Sequence, residues 1–101
     1  MTQLLPLTDQ DIAQALSQTL NNWSYVSQRL IRKWHTKNWL ESMAVVNQIS
    51  IIAEKEQHHP NLTIKYSEVI VELYTHDINA ITRLDVILAD AIEKDIQGII
   101  N

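Results

Sequence analysis

The chain has 101 residues, 46% of them hydrophobic and 20% charged, with 8 Lys and Arg against 12 Asp and Glu for a formal net charge of -4. That is the profile of one soluble globular domain, expected over residues 1–101, with enough chain to build a core without metal or disulfide staples. The absence of cysteine excludes disulfide scaffolds, thiol nucleophiles and Cys-based metal sites. The single glycine, Gly98, excludes phosphate-cradling loops, which need several glycines for close backbone approach.

The acidic balance and the lack of any Lys/Arg run argue against direct nucleic-acid binding. No apolar stretch reaches the roughly 20 residues of a bilayer span, and Met1 to Asp11 lacks the charge and apolar pattern of a secretory signal, so a cytoplasmic protein with no membrane partner is expected.

The first helix is predicted from Thr8, where Thr8-Asp9-Gln10-Asp11 reads as a capping box and Leu7 and Ile12 occupy staple positions. Ile12, Ala15, Leu16, Thr19 and Leu20 keep the spacing of one buried stripe, and the pattern ends near Asn21-Asn22. Trp23–Val26 and Arg29–Trp34 read as two strands of a hairpin. Ile31 and Trp34 are three apart, so a bulge near Arg32-Lys33 is expected to turn both inward. Asn38 caps a second helix that runs to about Gln57, with Glu41 in its first turn. Trp39, Met43, Val45, Val46, Ile49, Ile52 and Ala53 cover a broad arc of it, while Leu40, Ala44 and Ile51 form a second, narrower apolar stripe. Two apolar stripes exceed what one sheet face covers, which predicts a homodimer or homotetramer formed through this helix.

Leu62–Tyr66 and Val69–Thr75 flank Ser67-Glu68 as a second hairpin. Thr82-Arg83-Leu84-Asp85 is another capping box, with Ile81 and Val86 as its staple, and it opens a third helix buried along Leu84, Ile87, Leu88, Ala91 and Ile92. The order α-β-β-α-β-β-α implies an α+β fold, a four-stranded antiparallel sheet with three helices packed on one face.

Three of the 4 histidines, His58, His59 and His76, crowd one stretch. A two-residue turn at Ser67-Glu68 pairs Tyr66 with Val69, and counting outward sets His59 directly opposite His76, with His58 beside it and Asp77 across. Imidazoles titrate near neutral pH, so a convergent group suits general acid/base chemistry. Three histidines are also a zinc set, but His58 and His59 point to opposite sides of an extended strand, and only Asp77 stands near as an outer partner. The bland alternative is a polar strand start, with Pro60 where a missing N–H costs nothing. Asp85 is explained by its cap, and Glu54 lies one helical turn before His58.

The run Ala53-Glu54-Lys55-Glu56-Gln57-His58-His59-Pro60, then Tyr66, Val69 and Thr75-His76, and finally Ala80-Ile81-Thr82-Arg83-Leu84-Asp85, resembles the signature of the pterin-4a-carbinolamine dehydratases. The resemblance extends from about Leu7 to Ile92. It implies the α+β fold already inferred and an enzyme that dehydrates 4a-hydroxytetrahydrobiopterin, or a related pterin, to the quinonoid dihydropterin. No metal or organic cofactor is implied. His58, His59 and His76 would be the catalytic and pterin-contacting histidines, with Glu54, Pro60, Thr75, Asp77 and Ile78 at the substrate and Asp85 in support. His58 and His76 are the expected acid/base pair, and His59 mainly binds. The alternative is a dehydratase-like binding or assembly module that acts through the second helix. Ala80 replaces the family's usual glycine, where a positive φ would penalise alanine. Gln57 stands where a carboxylate often precedes His-His-Pro, which is expected to remove a partner for an imidazole.

Overall fold

The computed structural model describes residues 4–100. Thr8 opens α1 (Asp9–Gln18) through the expected capping box, its hydroxyl accepting from Asp11 N and its own N–H donating to Asp11 Oδ2. This helix stops earlier than its pattern suggests. Thr19 is its C-cap, still bonded through its N–H to Ala15 O, and donates its hydroxyl to Asp90, while Leu20 and Trp23 turn into the core. The chain then forms β1 (Ser24–Val26), β2 (Arg29–His35), α2 (Trp39–Glu56), β3 (Asn61–Lys65), β4 (Glu68–Leu73), a short 3-10 turn (His76–Ile78) and α3 (Arg83–Gln97).

The four strands make one antiparallel sheet in the order β1-β2-β4-β3. The order of elements and the helices on one face match the arrangement expected from the sequence. Strand β4 supplies the centre: Val69, Val71 and Leu73 are fully buried and alternate with half-buried residues facing the other way. Against them pack Val45, Ile49 and Ile52 of α2 and Leu88, Ile92 and Ile96 of α3. The third helix is rotated slightly from its predicted stripe: Ala89 and Glu93 turn inward with Leu88 and Ile92, whereas Ile87 is exposed.

The expected bulge in β2 is absent. Its register with β4 runs unbroken from Leu30↔Leu73 to His35↔Glu68, so Ile31 and Trp34 lie on opposite faces. The residue that shares the inner face with Leu30 and Trp34 is Arg32. Its burial is made tolerable by Glu93, whose carboxylate accepts from Arg32 Nε at 2.9 Å, Arg32 Nη2 at 3.1 Å and Trp23 Nε1 at 2.8 Å. A buried charge persists only where it is paired and hydrogen-bonded in this way.

The second hairpin turns one residue earlier than expected, at Tyr66-Ser67, so Lys65 pairs with Glu68 and Ile64 with Val69. Bonds from outside the hairpin hold these two residues in the turn: Ser42 Oγ of α2 donates to Tyr66 O at 3.1 Å, and Thr36 N donates to Ser67 O at 2.9 Å. The earlier turn moves each pairing by an even number of residues. Leu62 and Ile64 therefore keep the face they were expected to share with Val69 and Val71, but His59 no longer falls opposite His76.

Burial by itself would raise the Glu93 pKa, yet hydrogen bonds from Arg32, Gln97 and Trp23, together with the Arg32 charge, outweigh it and hold the carboxyl below the usual glutamate range. A lowered folded-state pKa contributes stability above the unfolded-state value and loses it as pH falls through the folded-state value. Glu93→Gln is therefore expected to cost about 1–3 kcal/mol at neutral pH, and urea denaturation should show the gap between the two proteins closing as pH falls below the glutamate range. A gap that does not change with pH would contradict this account.

Candidate active site

Helix α2 ends at Gln57, which takes the left-handed conformation with φ 51° and returns its N–H to Ala53 O and Glu54 O. This sharp exit carries the next two residues, His58 and His59, away from the helix axis. The Gln57 side chain is occupied with the same helix end, donating to Glu54 O at 2.7 Å. Neither imidazole lacks a carboxylate for want of one at position 57, because each has another.

His58 is buried, and its Nε2 donates to Asp85 Oδ1 at 2.6 Å. The second Asp85 oxygen accepts from Thr75 Oγ1 at 2.8 Å and from Thr82 N at 2.9 Å. One carboxylate thus completes the N-terminal cap of α3 and anchors the imidazole. Thr75 has one hydroxyl proton and gives it to Asp85, so across the 2.8 Å Thr75–Thr82 contact the Thr82 hydroxyl is the donor. Because a carboxylate only accepts, this network places the His58 proton on Nε2 and leaves Nδ1 outside the bond to Asp85. His59 is exposed, and its Nε2 donates to Glu54 Oε2 at 2.7 Å. The expected proximity of Glu54 to His58 is thus replaced by a bond to the neighbouring histidine.

His76 begins the 3-10 turn after Thr75, and its ring stacks on Tyr74 with centroids 4.2 Å apart. The left-handed position in this loop is Asn79, φ 51°, and not Ala80, which instead forms an antiparallel bridge with Thr75. Asparagine tolerates that conformation, so the expected penalty for alanine at position 80 does not arise.

A cleft of about 370 Å³ is lined by His58, His59, Thr75, His76 and Asp77, together with Leu4, Gln57 and Leu84. The three histidines therefore converge at one end of the sheet, but they do so through the α2 exit and the turn after Thr75, not through a cross-strand pair. Glu54 and Pro60 line an adjoining groove of about 240 Å³ shared with His59, and Ile78 lines neither. Sequence patterning missed Leu4 and Leu84, which give the cleft two apolar walls. The helical spacing marks Leu84 as a core position, while Leu4 lies near the bond from Leu7 N to Ile81 O at 2.8 Å. Among the described residues no three of His, Asp and Glu converge as a metal-ligand set.

The fold places the chain among α+β proteins with a histidine-lined cleft at the end of a four-stranded sheet. A crystal structure described as a transcriptional coactivator/pterin dehydratase from Brucella melitensis superposes with a TM-score of 0.82 at 27% identity, covering 96% of this chain and 100% of that one. The family model for pterin 4 alpha carbinolamine dehydratase matches residues 5–94, and the chain belongs to that family. Relatives that carry the dehydratase name provisionally include one from Synechococcus sp. (strain WH7803), 39% identical over 92% of this chain and 97% of its own length. Another, from Aquifex aeolicus, is 32% identical over 93% of this chain and 94% of its own length. A pterin dehydratase-like protein identified as a RuBisCO assembly factor in the alpha-carboxysome shares the fold at a TM-score of 0.62 and 13% identity, covering 72% of this chain and 87% of that one.

The two imidazole–carboxylate pairs differ sharply in setting. Asp85→Ala removes a helix cap and strands His58 and Thr75, an expected loss of about 2–4 kcal/mol. Glu54→Ala breaks an exposed pair and is expected to cost less than about 1 kcal/mol. Chemical denaturation of the two variants checks the contrast, and equal losses would mean that Asp85 does not have this dual structural role.

Proposed function

We propose that this protein, acting as a single dehydratase-like domain in the cytoplasm, catalyses the dehydration of 4a-hydroxytetrahydrobiopterin, or a close 4a-hydroxytetrahydropterin, to the quinonoid dihydropterin. The observation that carries this reading is the His58–Asp85 pair, set in a cleft with two further histidines. The dehydratase names of the relatives support the same reading. In the reaction the C4a–O bond breaks and the hydroxyl leaves as water after taking a proton from an imidazolium. A ring nitrogen of the pterin gives its proton to a second imidazole, and the electron pair left behind closes the C=N bond. One proton is given and one is taken, so the proton count of the protein is unchanged, and a proton passing back between the two imidazoles through solvent restores the starting state.

His58 and His76 serve as the acid/base pair. His58 acts through Nδ1, because Asp85 holds the other nitrogen and keeps the ring oriented. His59 binds the substrate with Glu54 behind it, while Thr75 and Asp77 border the cleft and Pro60 shapes the adjoining groove. The apolar side chains of Leu4 and Leu84 suit the flat face of a pterin ring.

A second reading concerns assembly. On α2, Leu40 is 77% and Ile51 63% exposed, and Trp39 is exposed beside them. Leu40, Ala44 and Ile51 share one exposed stripe of α2 with Asn47 between them, and such a stripe fits a second copy of the same chain, giving a homodimer or homotetramer through α2. Light scattering at micromolar concentration is expected to show an oligomer that Leu40→Asp with Ile51→Asp converts to a monomer, and a monomer at the outset would end the proposal.

For the reaction, chemically generated 4a-hydroxytetrahydropterin is mixed with the protein and the loss of its ultraviolet absorbance is followed. Dehydration should exceed the uncatalysed rate, and His58→Ala and His76→Ala should each lower turnover by about a hundredfold or more. An uncatalysed rate with the unaltered protein would refute the enzymatic reading.

A further inference from the structure

Strands β2 and β4 pair with Leu30 opposite Leu73. Arg29 and Tyr74 are the residues that lie just beyond this last pair of the ladder. The Arg29 guanidinium carbon lies 3.5 Å from the Tyr74 ring centroid. Two residues further along the chain, the His76 ring stacks on the same tyrosine, 4.2 Å between centroids and 21° between planes. Arg29 Nη2 also donates to Asn79 Oδ1 at 2.9 Å, and Asn79 N donates to His76 O at 3.3 Å, closing the short turn. The ring of His76 is held through Tyr74 and its backbone through Asn79, and both holds meet at Arg29.

The turn that delivers Arg29 is itself unusual. Ser27 and Gln28 adopt φ 49° and 63°, the left-handed pair of a tight hairpin turn that ordinarily favours glycine and asparagine. Such strain persists where surrounding structure over-determines it, and here Arg29 Nη1 donates to Gln28 O at 3.1 Å, tying the turn to the same guanidinium. His76 itself is exposed and, among the described residues, hydrogen-bonds to no carboxylate, unlike His58 and His59. An exposed imidazole on a short 3-10 turn otherwise samples several rotamers, whereas proton transfer requires a fixed one.

We propose that Arg29 and Tyr74 are positioning residues that hold the His76 imidazole at the edge of the cleft, replacing the carboxylate that orients each of the other two histidines. The consequence for turnover rests on the dehydratase reading, while the fixation of the ring is independent of it.

The test uses the full chain and the variants Tyr74→Leu, Tyr74→Phe and Arg29→Met. Proton NMR follows the His76 ring signals, assigned by their loss in His76→Gln, and steady-state kinetics with chemically generated 4a-hydroxytetrahydropterin follow kcat and KM. In the unaltered protein the ring current of Tyr74 should shift the His76 signals upfield. Tyr74→Leu and Arg29→Met should return them toward the free position, and Tyr74→Phe should preserve the shift. The His58 signals, unchanged throughout, report an intact fold. With the shift lost, kcat should fall roughly tenfold while KM stays within about twofold, and the phenylalanine variant should restore kcat. His76 signals that are the same in Tyr74→Leu, or turnover that ignores both substitutions in an otherwise active protein, would overturn the proposal. An unaltered protein that fails to accelerate the reaction refutes the dehydratase reading instead, and the NMR comparison still decides whether the ring is fixed.

Discussion

The Asp85 carboxylate accepts from the backbone and a threonine hydroxyl on one oxygen and from His58 on the other. The start of α3 and the orientation of a cleft imidazole therefore share one group. Fully buried, Asp85 is tolerable only because its partners satisfy it, and any shift of the helix start would leave an unpaired charge inside the protein. The same network fixes which nitrogen of His58 carries the proton. Helix capping, burial and tautomer are thus consequences of one interaction rather than three separate features.

A second buried carboxylate organises the opposite side of the core. Glu93 gathers Arg32 from the sheet and Trp23 from the segment before β1, so an arginine occupies a position on the inner face that an apolar residue would normally take. The two carboxylates, eight residues apart on α3, connect the helix to different parts of the chain: Asp85 to the cleft and Glu93 to the sheet. Helix α2 does the complementary work. Ser42 near its start secures the turn between β3 and β4, and the left-handed Gln57 after its end releases His58 and His59 into the cleft.

Local chemistry was legible where the cause was local. Both capping boxes, the Asn38 cap and the alternation along β4 depend on residues within a few positions of one another, and the structure contains them. Features decided by distant partners were not legible in the same way. The turn at Tyr66-Ser67 depends on Ser42 and Thr36, and the inward Arg32 depends on Glu93. An apolar pattern alone therefore suggested a bulge in β2 that a paired charge makes unnecessary. The His59–His76 pairing failed for the same reason, since it was counted from a turn whose position tertiary bonds decide.

The sequence by itself determined the order of elements, the three histidines near one end of the second hairpin and the family signature that contains them, because these follow from short-range pattern and residue identity. Tertiary structure alone decided which carboxylate each imidazole meets. Asp85 is 27 residues from His58, Glu54 is 5 from His59, and His76 has an aromatic ring in place of either. Such pairings depend on where the exit from α2, the start of α3 and the turn after Thr75 come together, and that meeting is set by packing of the helices on the sheet.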